Sequence, residues 1–362
     1  MSIKHAEEYR DLDLSQKLIS RIRALSKKKI CLMEVCGTHT MSIFRNGIRS
    51  VLPDTISLLS GPGCPVCVTD QSEIDAFISI AKMPGVIAVT FGDLLRVPGT
   101  GSSLEKERGN GMDVRVVYST FDAVKIAQKN PDKKVVFLGV GFETTAPTIA
   151  ASILSAYNMN LENYMVFSAH KRVMPALFAL MNLDNVHVDG FILPGHVSVI
   201  IGTNAYQPFY EKYKIPLAVT GFEPVDILNA VLILVSQIET NTPKLENAYP
   251  RAVNPEGNPK AGNIMNQVFE YTDASWRGMG IIPQSGLKIR KEFKSHDAQF
   301  MLHIQLAKAE EPKGCACGSI ITGAAIPPEC PLYKTVCTPI NPIGPCMVSS
   351  EGTCAAYYRY NV

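Results

Sequence analysis

The chain is 362 residues long, with 46% hydrophobic and 19% charged residues, which suits a soluble protein of two or three domains with a sizeable core. Its formal net charge of +2 is spread over interspersed signs, arguing against a nucleic-acid-binding stripe or an acidic tail. No run reaches the roughly 18 apolar residues of a membrane span; the best, 227–238, is short and contains Asn229. The opening Lys4, Glu7, Glu8 and Arg10 is not a secretory pattern, so a cytoplasmic protein using neither membrane nor nucleic acid is expected.

In chain order, residues 1–26 read as a helix with Leu12, Leu14, Leu18, Ile19, Ile22 and Leu25 on its apolar face. A strand over 30–35 ends abruptly at Cys36-Gly37, and the apolar run 55–59 leads into Gly61-Pro62-Gly63-Cys64-Pro65-Val66-Cys67. Asp70 and Glu73 stand in capping-box spacing before Ile74, Phe77 and Ile78, which places the thiol pair just ahead of a helix. Short Val- and Ile-rich runs then follow at 86–90, 114–118, 135–140, 164–167, 190–193 and 217–220, alternating with helical patterns. That is the signature of buried parallel strands in an α/β fold. Ala88-Val89-Thr90-Phe91-Gly92-Asp93 is echoed by Ala218-Val219-Thr220-Gly221-Phe222-Glu223, and Gly141-Phe142-Glu143 by Gly221-Phe222-Glu223. Two related α/β domains would explain the echo, and so would chance recurrence of a strand-end turn. After about residue 240 the chain turns rich in Pro, Asn and Gly, and regular elements are hard to place.

Ten cysteines carry the chemistry. Four lie between Cys31 and Cys67, six between Cys315 and Cys354, and none in 68–314. A disulfide-stapled secreted protein would be smaller, with its cysteines spread out. Two clusters in a cytoplasmic chain point to thiolate chemistry or metal. In the tail, Cys315, Cys317, Cys330, Cys337, Cys346 and Cys354 have 1, 12, 6, 8 and 7 residues between them. No pair fits a zinc knuckle, and the wide spacing in a Pro-rich wrap favours a [4Fe–4S] cluster over zinc. Cys64-Pro65-Val66-Cys67 has dithiol–disulfide spacing, and a helix N-terminus would lower a thiol pKa there. Cys36, with His39 three residues on, suits either a transition-metal site or a nucleophile with its base; a loop cysteine beside a surface histidine is the plain alternative. Gly139-Val140-Gly141 begins like a dinucleotide loop but lacks the third glycine, leaving Glu143, Thr144 and Thr145 as groups that could line a cleft. His196, in Pro194-Gly195-His196-Val197-Ser198, reads first as a structural histidine and second as a ligand. Cys31 reads as packing.

Taken together, Cys36-Gly37-Thr38-His39-Thr40, residues 61–67, 141–147 and 194–198, and the cysteine tail closely resemble the HypD family of [NiFe]-hydrogenase maturation factors over essentially the whole chain. Asp70 stands where the family often has proline, a change that leaves the thiols intact. The resemblance implies two similar parallel-sheet α/β domains, over 1–134 and 135–240, and an irregular C-terminal [4Fe–4S] cluster domain over 241–362. The family's four ligands are separated by 14, 6 and 16 residues, which selects Cys315, Cys330, Cys337 and Cys354 and leaves Cys317 and Cys346 without a role.

By the same resemblance the protein is a redox-active scaffold for the Fe(CN)2CO unit of the hydrogenase, an assembly factor rather than a conventional turnover enzyme. It would hold the iron jointly with a HypC-type small chaperone, accept cyanide from a HypE-type donor, and serve the hydrogenase large subunit indirectly. Cys36 would bind this iron, with His39 as orienter or proton donor. Cys64 and Cys67 would exchange electrons, and Glu143 and His196 would join them around a shared cleft. A non-redox scaffold with a purely structural cluster is the alternative. A radical enzyme is disfavoured because no Cys-x3-Cys-x2-Cys motif occurs.

Overall fold

The computed structural model describes residues 10–184 and 186–360. Eleven strands form among them: β1 (Ile30–Glu34), β2 (Ile56–Ser60), β3 (Val86–Thr90), β4 (Val114–Val116), β5 (Lys134–Gly139), β6 (Tyr164–Ser168), β7 (Gly190–Pro194), β8 (Leu217–Thr220), β9 (Leu245–Asn247), β10 (Phe269–Trp276) and β11 (Gly280–Ile289). Two sheets are wholly parallel, one in the order β2-β1-β7-β8-β9 and one in the order β4-β3-β5-β6. Every residue of β3, β7 and β8 is buried, as expected of parallel strands covered by helices on both faces. The expected α/β class with parallel sheets is therefore present.

The division expected at residue 134/135 does not separate the sheets. The five-stranded sheet takes its strands from 30–60 and 190–247, and the four-stranded sheet from 86–168, so β5 pairs with β3 across the expected boundary. Parallel strands are joined by crossovers, so a chain can leave one sheet after β2, build another, and return at β7. The echoed segments 88–93 and 218–223 lie at the ends of β3 and β8, one in each sheet.

The N-terminal helix runs over Leu12–Leu25; the expected helix over 1–9 falls outside the described residues. Its Leu18 and Ile22 pack with Ile227 and Val231 of the helix Pro224–Thr240. Regular structure after residue 240, which composition obscures, includes the helix Pro259–Val268 and the antiparallel hairpin β10-β11. The hairpin carries Glu270, Tyr271 and Lys288 in the open, so no continuous apolar run marks it. One apolar core joins residues of both sheets, among them Leu138, Phe167, Phe191 and Leu193, to Cys64, Cys67 and the tail cysteines. Among the described residues, no helix is long and apolar enough to cross a membrane.

Candidate metal and thiol centre

The carboxyl ends of the parallel strands, where α/β folds gather their ligands, hold every N-terminal motif. Cys36 follows β1 and is the N-cap of the helix Gly37–Arg45; the thiol-pair loop follows β2; Pro194 ends β7; and Gly221-Phe222 follows β8. Gly63 explains the glycines of the second motif. Its carbonyl accepts the Gly37 N–H at 3.0 Å, and a Cβ there would run into the Cys36 backbone. The thiol-pair loop thus lies directly over Cys36.

Cys36 is 9% exposed. Burial and the neighbouring Glu351 charge push its thiol up to about 12, against the opposing N–H groups of His39 and Thr38. With no cation at Sγ it is a thiol, and a coordinated metal would displace the proton. His39 is fully buried, and its Nε2 lies 2.8 Å from the Gly221 carbonyl. A carbonyl only accepts, so Nε2 carries the proton and Nδ1 is left as a buried lone pair with no partner. Burial lowers the imidazole to about 4. A neutral ring whose one N–H is committed orients its surroundings rather than donating a proton. His39 and His196 both lie on the Phe222 ring, at centroid distances of 4.7 and 3.9 Å. His196 itself is at the surface, its pKa lowered by partial burial.

Glu143 is buried and spends its carboxylate on the Val173 N–H, 3.1 Å from Oε1, so it fastens the start of the helix Val173–Leu180. Burial raises it to about 7. Gly139 and Gly141 have local reasons other than a nucleotide. A Cβ on Gly139 would come within 2.7 Å of the buried His170 ring, and one on Gly141 would collide with the Thr145 side chain.

Cys64 is the N-cap of the helix Pro65–Val68 and is disulfide-bonded to Cys67. The helix Gln71–Ala81 follows with the expected Asp70–Glu73 capping box.

The six tail cysteines line one apolar pocket together with Ile320, Tyr333, Gly344 and Met347. Five are buried and Cys315 is half-buried. Cys317 and Cys346, which the family's pattern leaves without a role, stand in the same cradle. An all-sulfur, apolar lining fits an iron–sulfur cluster. Among the described residues, no three His, Cys, Asp or Glu side chains close on a single ion.

The tail also folds back onto both thiol loops. The helix Pro345–Val348, with Cys346, packs against Pro65–Val68, and the helix Thr353–Tyr360, with Cys354, packs against Gly37–Arg45. Phe44 meets Tyr357 at 4.6 Å between centroids, and Arg49 stacks on both rings. Thr38 donates its hydroxyl to Glu351 at 2.6 Å, and a Cβ on Gly37 would collide with that side chain.

Two carboxylates near Cys36 were not singled out from the sequence. Glu34, 1% exposed, accepts the Thr40 hydroxyl at 2.5 Å and the Cys36 N–H at 3.2 Å, and burial raises it to about 8. Its signal was available, as a lone acid inside an apolar strand. Glu351, largely buried and raised by that burial, had none.

The HypD family model, described as the hydrogenase formation hypA family, matches residues 13–361. A putative hydrogenase expression/formation protein of Methanocaldococcus jannaschii is 46% identical over 352 residues, covering 97% of this chain and 98% of that protein. The hydrogenase maturation factor HypD of Azotobacter vinelandii is 44% identical over 367 residues, and that of Cupriavidus necator 40% over 368, each covering 99% of this chain and 97% of the relative. With the match running through the Cys36 loop, the thiol pair and the cysteine cradle alike, the chain belongs to the HypD family.

Proposed function

We propose that this chain matures [NiFe]-hydrogenase as a redox-active scaffold. It would hold the iron of the Fe(CN)2CO unit on Cys36, jointly with a HypC-type chaperone, while a HypE-type protein delivers cyanide. Cys315, Cys330, Cys337 and Cys354 would hold a [4Fe–4S] cluster. The observation that carries the reading is the convergence of three thiol groups. The Cys36 helix and the Cys64–Cys67 helix each pack against a tail helix bearing a cradle cysteine.

Each residue then has a task. Cys36 presents a soft thiolate, which suits a low-spin iron with strong-field ligands, and the Thr38 and His39 N–H groups support that charge. His39, neutral and fixed by Gly221, orients the wall beside it. Cys64–Cys67 takes up two electrons and two protons on passing from disulfide to dithiol, drawn from an external low-potential reductant. The cluster, when bound, would relay electrons singly. Glu143 and His196 would line the cleft these groups share.

Infrared and Mössbauer spectra of the anaerobically purified complex with the small chaperone test the proposal. The expected result is CO and CN bands together with a [4Fe–4S] signature, the bands vanishing in C36A while the cluster remains. Bands that persist in C36A would remove Cys36 as the iron ligand. Zinc in place of iron and sulfide would remove the cluster. The alternative of an inert, structural cluster draws on the scarcity of regular structure in the tail, whose helices Cys317–Ile321 and Pro345–Val348 are 5 and 4 residues long. A cluster whose oxidation state never changes during iron-unit assembly would favour it.

A further inference from the structure

The turn between β10 and β11 carries Arg277, whose charge has no evident counterpart. The side chain is 1% exposed. Its backbone N–H donates to the Val68 carbonyl at 3.0 Å, Nε to the Thr69 carbonyl at 3.2 Å, and one terminal nitrogen to Gln71 Oε1 at 3.1 Å. The guanidinium is thereby clamped to the segment that leaves Cys67. The other terminal nitrogen is buried without any partner. Among the described residues, no carboxylate forms an ion pair with it. Asp70 feels its charge, but its carboxylate is engaged by Ser72 and Ser275. Glu311 approaches Gly318 only from the surface. A buried charge without a counter-charge is among the costliest arrangements in a protein.

The turn that carries this guanidinium packs against the loop that leaves the thiol cradle. Gly278, with φ of +77°, lies so close to Gly318 that a Cβ on either would press into the other's backbone. Gly318 directly follows Cys317. Neutral thiols offer a buried cation no counter-charge. A cluster on four thiolates does, because it carries net negative charge that grows by one unit on reduction.

We infer that Arg277 is a positioning residue whose buried charge serves as the fixed counter-ion of the thiolate–cluster assembly and raises the cluster's reduction potential. The inference rests on the cluster reading above. One electron enters the cluster on reduction, no bond forms or breaks, and a fixed positive charge in a low-dielectric surrounding stabilises the more negative state.

Dithionite titration with mediators, followed by electron paramagnetic resonance on the anaerobically purified full chain, tests this in the native protein, R277K, R277Q and R277M. In R277Q and R277M the reduction equilibrium should fall at least tenfold, about 59 mV for a one-electron couple, while R277K stays close to native. Two neutral variants are used so that a folding failure of one leaves the other. An unchanged potential in a neutral variant with full cluster content overturns the inference. So does R277K falling as far as R277Q, since that would mark lost hydrogen bonds rather than lost charge. A native chain without iron and sulfide, read before any titration, would overturn the cluster reading itself.

Discussion

The strand-end thiols and the tail thiols are positioned by different physics. Cys36 and Cys64 follow β1 and β2, which pair in continuous register from Ile30↔Ile56 to Glu34↔Ser60, so a ladder of backbone hydrogen bonds sets their places. The tail cysteines hang on loops and on helices of 4 to 8 residues, too short to be stable alone. A backbone-built site should survive the loss of any one side chain or metal. A side-chain-built site needs its staple.

The largest effect that would sharpen this contrast comes from removing the staple. C330A/C337A should lose all cluster iron and sulfide and render the tail cleavable in limited proteolysis, while the parallel sheets persist. A tail that stays resistant without the cluster would erase the distinction.

Titration of buried groups comes next, and it probes the strand-end region alone. His39 and His170 are held neutral by burial, at about 4 and about 3. The unfolded chain takes up protons first, so the stability they permit is present above pH 6.5 and is lost as pH falls through 6.5 toward 4. Glu34 and Glu143 act in the opposite direction. Raised by burial to about 8 and about 7, they contribute stability that is present below pH 4.5 and is lost as pH rises through 7 to 8. Urea denaturation of the metal-free chain should therefore show greatest stability between pH 4.5 and 6.5. H170Q should flatten the acid limb by up to about 5 kcal/mol and E143Q the alkaline limb by up to about 3 kcal/mol. Unaltered limbs would mean that these groups are not buried as described.

The smallest effect concerns the loop over Cys36. G63A should cost about 1–3 kcal/mol through overpacking against the Cys36 backbone and should weaken iron retention. G101A, whose added Cβ meets nothing within 4 Å, should stay within about 0.5 kcal/mol of native. Equal denaturation midpoints for the two would remove the close approach as the reason for Gly63.

Much of the strand-end region is legible without coordinates. The runs at 86–90, 190–193 and 217–220 are apolar because both faces are covered, and Asp70 with Glu73 marks a helix start by spacing alone. The hairpin β10-β11 is not legible in this way, because its exposed face breaks the apolar pattern with Glu270 and Lys288. Glu34 is half-legible: an acid in a strand stands out, but its partners Thr40 and the Cys36 N–H follow only from the turn after β1.

The sequence by itself determined the α/β class and the thiol motifs, because periodicity, capping and spacing are local properties, and its motifs taken together carried the resemblance to the family. Tertiary structure alone decided which strands share a sheet, since parallel pairing skips along the chain and the 134/135 boundary has no counterpart in it. It also decided that Cys317 and Cys346 stand with the other tail cysteines, that Glu351 reaches Thr38, and that the turn carrying Arg277 packs against Gly318. Those residues reach their neighbours through packing between segments distant in the chain, and no local pattern encodes such contacts.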